Sequence, residues 1–255
     1  MIDIHCHILP GLDDGAANET IALEMAQQAV AEGITAIVAT PHHRNRHWQN
    51  PKANVLQHVA QLNETLKEHA IPLTILPGQE VRLFGEMAEP DQQAELLTVN
   101  NSGNYLLVEF PTMQVPQYAS QLFFNLQTNG VTPVIVHPER NQVFLDHPDR
   151  LYQFINEGAL AQITAASLIG KSGNKVQKRS RQFLENQLAH FVASDAHNVT
   201  QRPFYRQAAQ AYIEKEYGFQ MIEQLNQNAE QLVQGKQIPR EQPTAIKEKK
   251  FFGLF

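Results

Sequence analysis

Cysteine is almost absent from this chain of 255 residues, which has a single one, Cys6. One cysteine cannot form an internal disulfide, so the sequence excludes a disulfide-stapled secreted domain and favours a reducing compartment. Long hydrophobic runs are absent as well, because no stretch approaches the roughly 18 consecutive apolar residues of a membrane-spanning helix. We therefore expect no transmembrane segment.

Basic residues are outnumbered, with 20 lysines and arginines against 26 aspartates and glutamates, for a formal net charge of −6. This balance disfavours the backbone of a nucleic acid as the principal partner. The N-terminus lacks the basic segment and apolar core of a secretory signal, and a candidate site residue, His5, stands within it. We therefore expect a cytoplasmic protein.

Apolar runs typical of strands alternate with helix-like stretches through most of the chain, which predicts repeated β-α units. We expect a single barrel-like α/β domain over residues 1–235, with an irregular C-terminal tail over residues 236–255. Helices are predicted over residues 19–33, closed by Gly33, and over residues 52–70, 204–217 and 221–235. The seven predicted strands, all or mostly parallel, cover residues 2–6, 36–40, 73–77, 105–110, 132–137, 159–164 and 190–194.

The first predicted strand, IDIHC, carries two histidines in an apolar setting. Successive side chains of a strand point to opposite faces, so His5 and His7 share one face, and Ile4 and Cys6 share the other. Cys6 is therefore expected to be a small buried hydrophobic residue, facing away from the histidines.

Polar side chains follow six of the seven predicted strands at or just after their carboxyl ends. In a parallel β/α barrel these ends meet at one mouth, so we expect the side chains to converge. Any one of these histidines alone would more often be a core or surface residue, and the prediction depends on their joint occurrence. Imidazoles and carboxylates are ligands of Zn, Mn or Fe, and their number predicts two or three ions. The candidate ligands are His5, His7, Asp14, His42, Glu80, Glu109, His137, Asp195 and His197.

The ordered motifs DIHCH, TPHH, GQE, VEF, HPER and SDAH resemble those of the PHP (polymerase and histidinol phosphatase) superfamily of metal-dependent hydrolases. The run DIHCHILPGLDDGA, with PHHRN, HPERN and SDAHN, resembles the CpsB/CapC-type manganese-dependent tyrosine phosphatases of bacterial capsule and exopolysaccharide operons. The resemblance extends in collinear order over residues 1–210. It implies the PHP fold, a distorted TIM-like (β/α)7 barrel, and hydrolysis of phosphotyrosine with Mn²⁺, or alternatively Fe or Zn.

The resemblance also implies roles for particular residues. Arg140, in HPERN, and Arg202, in HNVTQRP, would bind phosphate at the catalytic site, although each taken alone is equally well explained as an ordinary surface or helix-cap arginine. One ion would be held by His5, His7, Glu80 and Asp195, a second by Glu80, Glu109 and His137, and a third by Asp14, His42 and His197.

The implied partner is a phosphotyrosine protein, a membrane-associated bacterial tyrosine kinase, which would place the chain at the inner face of the membrane. The terminal segment KEKKFFGLF joins lysines to an apolar end, so it either docks on such a surface or packs back on the barrel. Two other functions stay open. One is hydrolysis of a small phosphomonoester such as histidinol phosphate, or of a nucleic-acid end, which the negative charge disfavours. The other is a regulatory module without turnover, which the full ligand set disfavours.

Overall fold

The computed structural model describes residues 1–246, in which parallel strands alternate with helices. The strands are β1 (Ile2–Cys6), β2 (Ala36–Ala39), β3 (His42–His43), β4 (Thr74–Pro77), β5 (Glu80–Arg82), β6 (Tyr105–Glu109), β7 (Thr132–Val136), β8 (Leu160–Thr164) and β9 (Phe191–Ala193). The helices are α1 (Glu19–Ala31), α2 (Lys52–Glu68), α3 (Pro90–Gln93), α4 (Ala119–Thr128), α5 (Gln142–Asp146), α6 (Pro148–Asn156), α7 (Ala165–Leu168), α8 (Asn174–Glu185), α9 (Arg206–Tyr217) and α10 (Phe219–Val233). Short 3-10 turns lie at Val99–Asn101 and Pro138–Arg140.

The strands form a distorted barrel with seven strand positions, because β2 continues into β3 and β4 continues into β5. The pairings between these strands are parallel. The ring closes after β9, where the Asp195 amide donates to the His5 carbonyl and the His7 amide donates to the Ala196 carbonyl, each at 2.9 Å. The predicted TIM-like (β/α)7 barrel and its seven strand positions are confirmed. The four predicted helices are confirmed as α1, α2, α9 and α10.

The two interrupted strand positions have local causes. Pro41, between β2 and β3, has no N–H to donate to a strand ladder. Gly78, between β4 and β5, lies so close to β2 that an added Cβ would stand 2.6 Å from the Val38 side chain. Beyond the interruptions the strands pair again, and His42 of β3 comes into register with Glu80 of β5. The breaks therefore place two candidate ligands side by side.

Strand β1 is irregular in a way that simple alternation does not anticipate. Asp3 pairs with Ile37 but Cys6 pairs with Ala39, so three steps along β1 match two steps along β2. As a result Ile4 packs in the inner core, whereas Cys6 packs in the layer beneath α1. The prediction that Ile4 and Cys6 share a face is wrong for this reason. The prediction that Cys6 is buried is confirmed, since it is 0% exposed.

Helix α10 closes the end of the barrel at which the strands begin. The inner core joins the strand residues Leu107 and Val134 to Leu232 and Val233 of α10. At the same end the Asn228 side chain donates to the His190 carbonyl, which immediately precedes β9, at 3.0 Å. The carboxyl ends of the strands are left to form the open mouth, where the sites of such barrels lie.

Residues 236–246, the described part of the predicted tail, form no helix or strand and pack against the barrel. The Tyr105 hydroxyl donates to the Lys236 carbonyl at 2.7 Å, and Ile238 is buried. The Arg240 guanidinium donates to the Gly158 carbonyl at 2.6 Å. The predicted docking segment, residues 247–255, lies outside the described residues. None of the helices within residues 1–246 has both the length and the apolar character needed to cross a membrane.

Candidate metal centre

The predicted ligands converge at the mouth of the barrel, where their donor atoms form three overlapping groups. Within each group the atoms lie within 4.8 Å of one another. The groups are His5, His7, Glu80 and Asp195; His42, Glu80 and Glu109; and His7, Asp14, His42 and His197. The remaining predicted ligand, His137, joins the cluster through its Nε2, which lies 2.7 Å from Glu80 Oε1.

The innermost group consists of two imidazoles and two carboxylates that face one another in the interior. His5 Nε2 lies 3.4 Å from both Glu80 Oε2 and Asp195 Oδ1. His7 Nε2 lies 3.3 Å from Glu80 Oε2 and 3.2 Å from Asp195 Oδ1. All four residues are at most 2% exposed. Nitrogen and oxygen donors directed at a common point away from water are the donor set that a divalent transition metal takes.

His42 stands between two of the groups, whereas the resemblance assigns it to one ion. Its Nδ1 lies 2.9 Å from Glu80 Oε2, and its Nε2 lies 3.4 Å from Asp14 Oδ1. His137 approaches the other oxygen of Glu80. Glu80 is therefore the central residue of the cluster, with Oε2 turned to three histidines and Oε1 to a fourth.

Two of these residues have a backbone conformation that is uncommon outside glycine. His137 has φ 35° and Asp195 has φ 54°, both in the left-handed region. Such a conformation costs about 1–3 kcal/mol and persists only where the surrounding structure holds it. His137 comes directly after β7 and Asp195 comes two residues after the end of β9, so the turn of the chain aims each side chain into the mouth.

Asp13 was not predicted as a site residue, although it fixes the orientation of His7. Its Oδ2 lies 2.6 Å from His7 Nδ1, and its carboxylate also accepts from the backbone amides of Gly15 at 2.9 Å and His42 at 3.0 Å. A carboxylate behind a histidine sets the ring tautomer and presents the other nitrogen to a metal. The sequence signal for this role is the pair of adjacent aspartates in GLDDGA. Their side chains point in different directions, so Asp13 faces His7 while Asp14 faces His42.

Gln162 performs the same task for His5 and was also missed. Its side-chain oxygen lies 2.9 Å from His5 Nδ1, so His5 Nε2 is left for the cluster. Gln162 is fully buried in β8. A single amide within the apolar strand ALAQIT is the signal that could have revealed it.

Despite burial, His42 and His5 keep the pKa of Glu80 well below its usual value, whereas burial and the Glu80 carboxylate raise the pKa of Glu109. Burial opposes ionisation of Asp195, but Arg140 and His5 keep its pKa well below the usual range. Burial likewise opposes the charge on His42, but Glu80 and Asp14 raise its pKa to about 10. A metal cation would therefore displace a proton from His42, whereas the Asp195 carboxylate is already ionised and has none to release.

Several buried polar atoms of the cluster lie near other ligand atoms or, for Glu109, near Arg82, but form no well-aligned hydrogen bond, and these atoms test whether the residues fit metal ions. The atoms are His42 Nδ1, Glu80 Oε2, Glu109 Oε2, Asp195 Oδ1 and His197 Nε2. Unpartnered buried polar atoms are costly and rare in folded proteins. Here they are gathered in one place and all face the cluster, so metal ions would satisfy them together. The residues fit the implied metals.

The two predicted arginines meet at a single carboxylate oxygen beside the cluster. Arg140 Nη1 donates to Asp195 Oδ2 at 2.5 Å, and Arg202 Nη2 donates to the same oxygen at 2.9 Å. Both arginines line a cavity of about 200 Å³ that also reaches Glu109 and His137. Because Asp195 Oδ1 faces His5 and His7, Asp195 links the arginines to the innermost group.

Comparisons of the sequence with known proteins identify relatives of this chain. A family model described as capsular polysaccharide synthesis, CpsB/CapC, matches residues 1–234. The chain is 46% identical over 255 residues to the tyrosine-protein phosphatase YwqE of Bacillus subtilis, and the match covers all of both chains. It is 32% identical over 230 residues to the tyrosine-protein phosphatase CpsB of Streptococcus pneumoniae, which covers 88% of this chain and 94% of that protein.

Solved structures confirm the fold. A chain from the crystal structures of YwqE and CpsB, described as unique metal-dependent tyrosine phosphatases, superposes with a TM-score of 0.94 at 46% identity. The superposition covers 97% of this chain and 100% of that chain. Dihydroorotase from Campylobacter jejuni superposes with a TM-score of 0.53 at 11% identity, covering 94% of this chain and 84% of its own, and this likeness shows the fold alone.

Proposed function

Because the chain belongs to the CpsB/CapC family of capsular polysaccharide synthesis proteins, we propose that it is a metal-dependent protein-tyrosine phosphatase. The observation that carries the proposal is the position of Asp195, with one oxygen toward the buried histidines and the other accepting from Arg140 and Arg202. An anion that replaces this pairing with the arginines would lie directly beside the metal ligands.

We propose Mn²⁺ as the resident metal, with Fe or Zn as alternatives, because every donor is nitrogen or oxygen and none is a thiolate. When bound, such ions supply Lewis acidity, which lowers the pKa of coordinated water and neutralises phosphoryl oxygens. The residues that would hold them are His5, His7, Asp14, His42, Glu80, Glu109, His137, Asp195 and His197.

Arg140 and Arg202 are the residues that would bind and orient the phosphoryl group. Guanidinium groups present paired donors whose geometry matches phosphate oxygens, and both arginines are only half-buried, so substrate can reach them. The leaving group of phosphotyrosine is a phenol with a pKa of about 10, which departs more easily than an alkoxide. The reaction therefore depends little on a general acid.

Cys6 does not serve as a nucleophile in this proposal. Burial raises the pKa of its thiol well above the usual value, and its Sγ contacts the Ala196 carbonyl at 3.5 Å. A cysteine nucleophile needs a thiolate that is accessible and stabilised by cations. Hydrolysis would therefore proceed without a covalent enzyme intermediate.

The proposed substrate is a phosphorylated tyrosine kinase that acts in capsule or exopolysaccharide synthesis and is associated with the membrane. This assignment follows the description of the family as capsular polysaccharide synthesis. It entails a cytoplasmic protein that meets its partner at the inner face of the membrane. We further propose residues 1–235 as the PHP phosphatase domain and residues 236–255 as an appended tail that takes no part in the chemistry.

A substrate comparison tests the proposed activity. Protein loaded with Mn²⁺ is expected to release phosphate from a phosphotyrosine peptide with a kcat/KM well above that for histidinol phosphate. The measurement is phosphate release from each substrate under the same conditions. A preference for histidinol phosphate would overturn the tyrosine-phosphatase assignment in favour of the small-phosphomonoester alternative.

Replacing Asp13 tests its role behind His7. Asp13→Asn is expected to weaken metal binding by about 10- to 100-fold, because the amide no longer fixes the protonation of His7 Nδ1. Competition with a fluorescent chelator measures the affinity. Asp91→Asn is the control, since Asp91 lies on the surface in α3, away from the ligands. Equal affinity of Asp13→Asn and the wild type would contradict this role.

A further inference from the structure

A second cavity adjoins the candidate metal centre. It has a volume of about 360 Å³ and shares Arg140, Asp195 and Arg202 with the cavity at the mouth. The two cavities therefore lie on either side of the same pair of arginines. The remaining wall of the second cavity includes Lys171, Ser172, Gln201 and Tyr205.

The wall of this second cavity is positively charged, in contrast to the chain as a whole. Three cations and one carboxylate line it, whereas the chain carries a formal net charge of −6. The stretch that begins at Lys171, KSGNKVQKRSR, has five basic residues and no acidic one. Within this stretch Lys175 pairs with Asp146 and Arg181 pairs with Glu216, whereas Lys171 lines the cavity itself.

Lys171 is the cation of this wall that has no acidic partner. Asp195 already accepts from both Arg140 and Arg202. Lys171, by comparison, forms no ion pair with any residue from 1 to 246. Its Nζ lies 5.7 Å from the centroid of the Tyr205 ring, a cation-π contact that holds the ammonium group at the cavity.

We propose that the second cavity is a subsite for an anionic group that the substrate carries near its phosphotyrosine. The inference rests on the proposed function, because it takes the mouth cavity as the phosphotyrosine site. The anion is the carboxylate of an acidic residue or a second phosphate, since both are oxygen anions that pair with an ammonium group. Lys171 binds this group, and the Ser172 hydroxyl and Gln201 amide supply further hydrogen-bond donors. Lys171 thereby determines which phosphotyrosine sites are preferred.

The test uses the full chain loaded with Mn²⁺ and a series of phosphotyrosine peptides. Each peptide carries glutamate, phosphoserine or glutamine at one position, and that position is moved along either side of the phosphotyrosine. At the best position, kcat/KM is expected to be about fivefold higher for an anionic residue than for glutamine at low ionic strength. The preference should decline as salt is added, because the pair is exposed to solvent.

Three variants assign the preference to Lys171. Lys171→Gln is expected to remove it, and Lys171→Arg is expected to keep it. Lys178→Gln is the matched control, since it removes a lysine of α8 that does not line the cavity, and the preference should persist. Whether glutamate or phosphoserine gives the larger effect identifies which anion the subsite favours.

Two results would overturn the inference, and they are distinguishable from failure of the proposed function. Equal kcat/KM for anionic and glutamine peptides at every position would eliminate the subsite while leaving the phosphatase intact. A preference for anionic peptides that persists in Lys171→Gln would likewise eliminate the subsite. Failure to hydrolyse any of the peptides would overturn the phosphatase assignment and the subsite together.

Discussion

Glu80→Gln is expected to lower kcat on a phosphotyrosine peptide by about 1000-fold or more and to reduce the metal content of the purified protein. Glu80 is the residue that links the groups of the cluster, with one oxygen facing His5, His7 and His42 and the other facing His137. An amide cannot supply its negative charge. Loss of metal-based charge stabilisation worth about 4 kcal/mol corresponds to the expected factor.

The measurement pairs metal analysis with turnover for each purified protein. Glu95→Gln is the matched control, because the Glu95 side chain is about half exposed and contacts only Arg44 at 3.3 Å among the described ion pairs. It should retain both metal and activity. Wild-type metal content and turnover in Glu80→Gln would show that the cluster does not bind the catalytic metal through this residue.

Arg140→Ala is expected to lower kcat/KM by about 100- to 1000-fold while the metal content stays near that of the wild type. Arg140 lines the mouth cavity and donates to Asp195 Oδ2, the oxygen turned away from His5 and His7. Removing a positioned donor to a phosphoryl oxygen costs about this factor. His137→Ala should lower both activity and metal content, because His137 contacts Glu80 directly.

Comparing these two variants separates phosphate binding from metal binding, since His137 and Arg140 are only three positions apart on one turn. Arg46→Ala controls for loss of positive charge, because Arg46 is exposed in the loop after β3, and it should behave like the wild type. If Arg140→Ala instead loses its metal, the guanidinium serves to hold Asp195 in place, and its assignment to phosphate is incorrect.

Much of the fold follows from sequence periodicity, and the exceptions have physical causes. The seven strand positions were predicted because apolar runs of a few residues recur between amphipathic stretches. The interruption of two strand positions was not predicted. One break depends on Pro41, which lacks an N–H donor, and the other depends on the close approach of Gly78 to Val38, a tertiary contact. The misplacement of Ile4 has the same origin, since the shift in β1 is defined only by its pairing with β2.

The convergence of the predicted ligands could also be anticipated, since parallel strands direct their carboxyl ends to one mouth. How the donor atoms group around each candidate ion could not be anticipated from the sequence. His42 faces both Glu80 and Asp14, and this depends on side-chain rotation that spacing along the chain does not determine. Asp13 was not predicted, because only Asp14 of the two adjacent aspartates was considered as a metal ligand. In the structure Asp13 is buried behind His7, and Asp14 is exposed at the rim.

The central claim is that the barrel mouth binds metal ions that are required to hydrolyse phosphotyrosine, and stepwise chelation tests it most directly. Metal content and turnover of a phosphotyrosine peptide would be measured on the same samples as EDTA is added, and again after Mn²⁺ is supplied. We expect turnover to fall to background as metal is removed. Added Mn²⁺ should restore both the metal content and the turnover to the wild-type level. Turnover that persists after the protein has been stripped of metal would contradict the account.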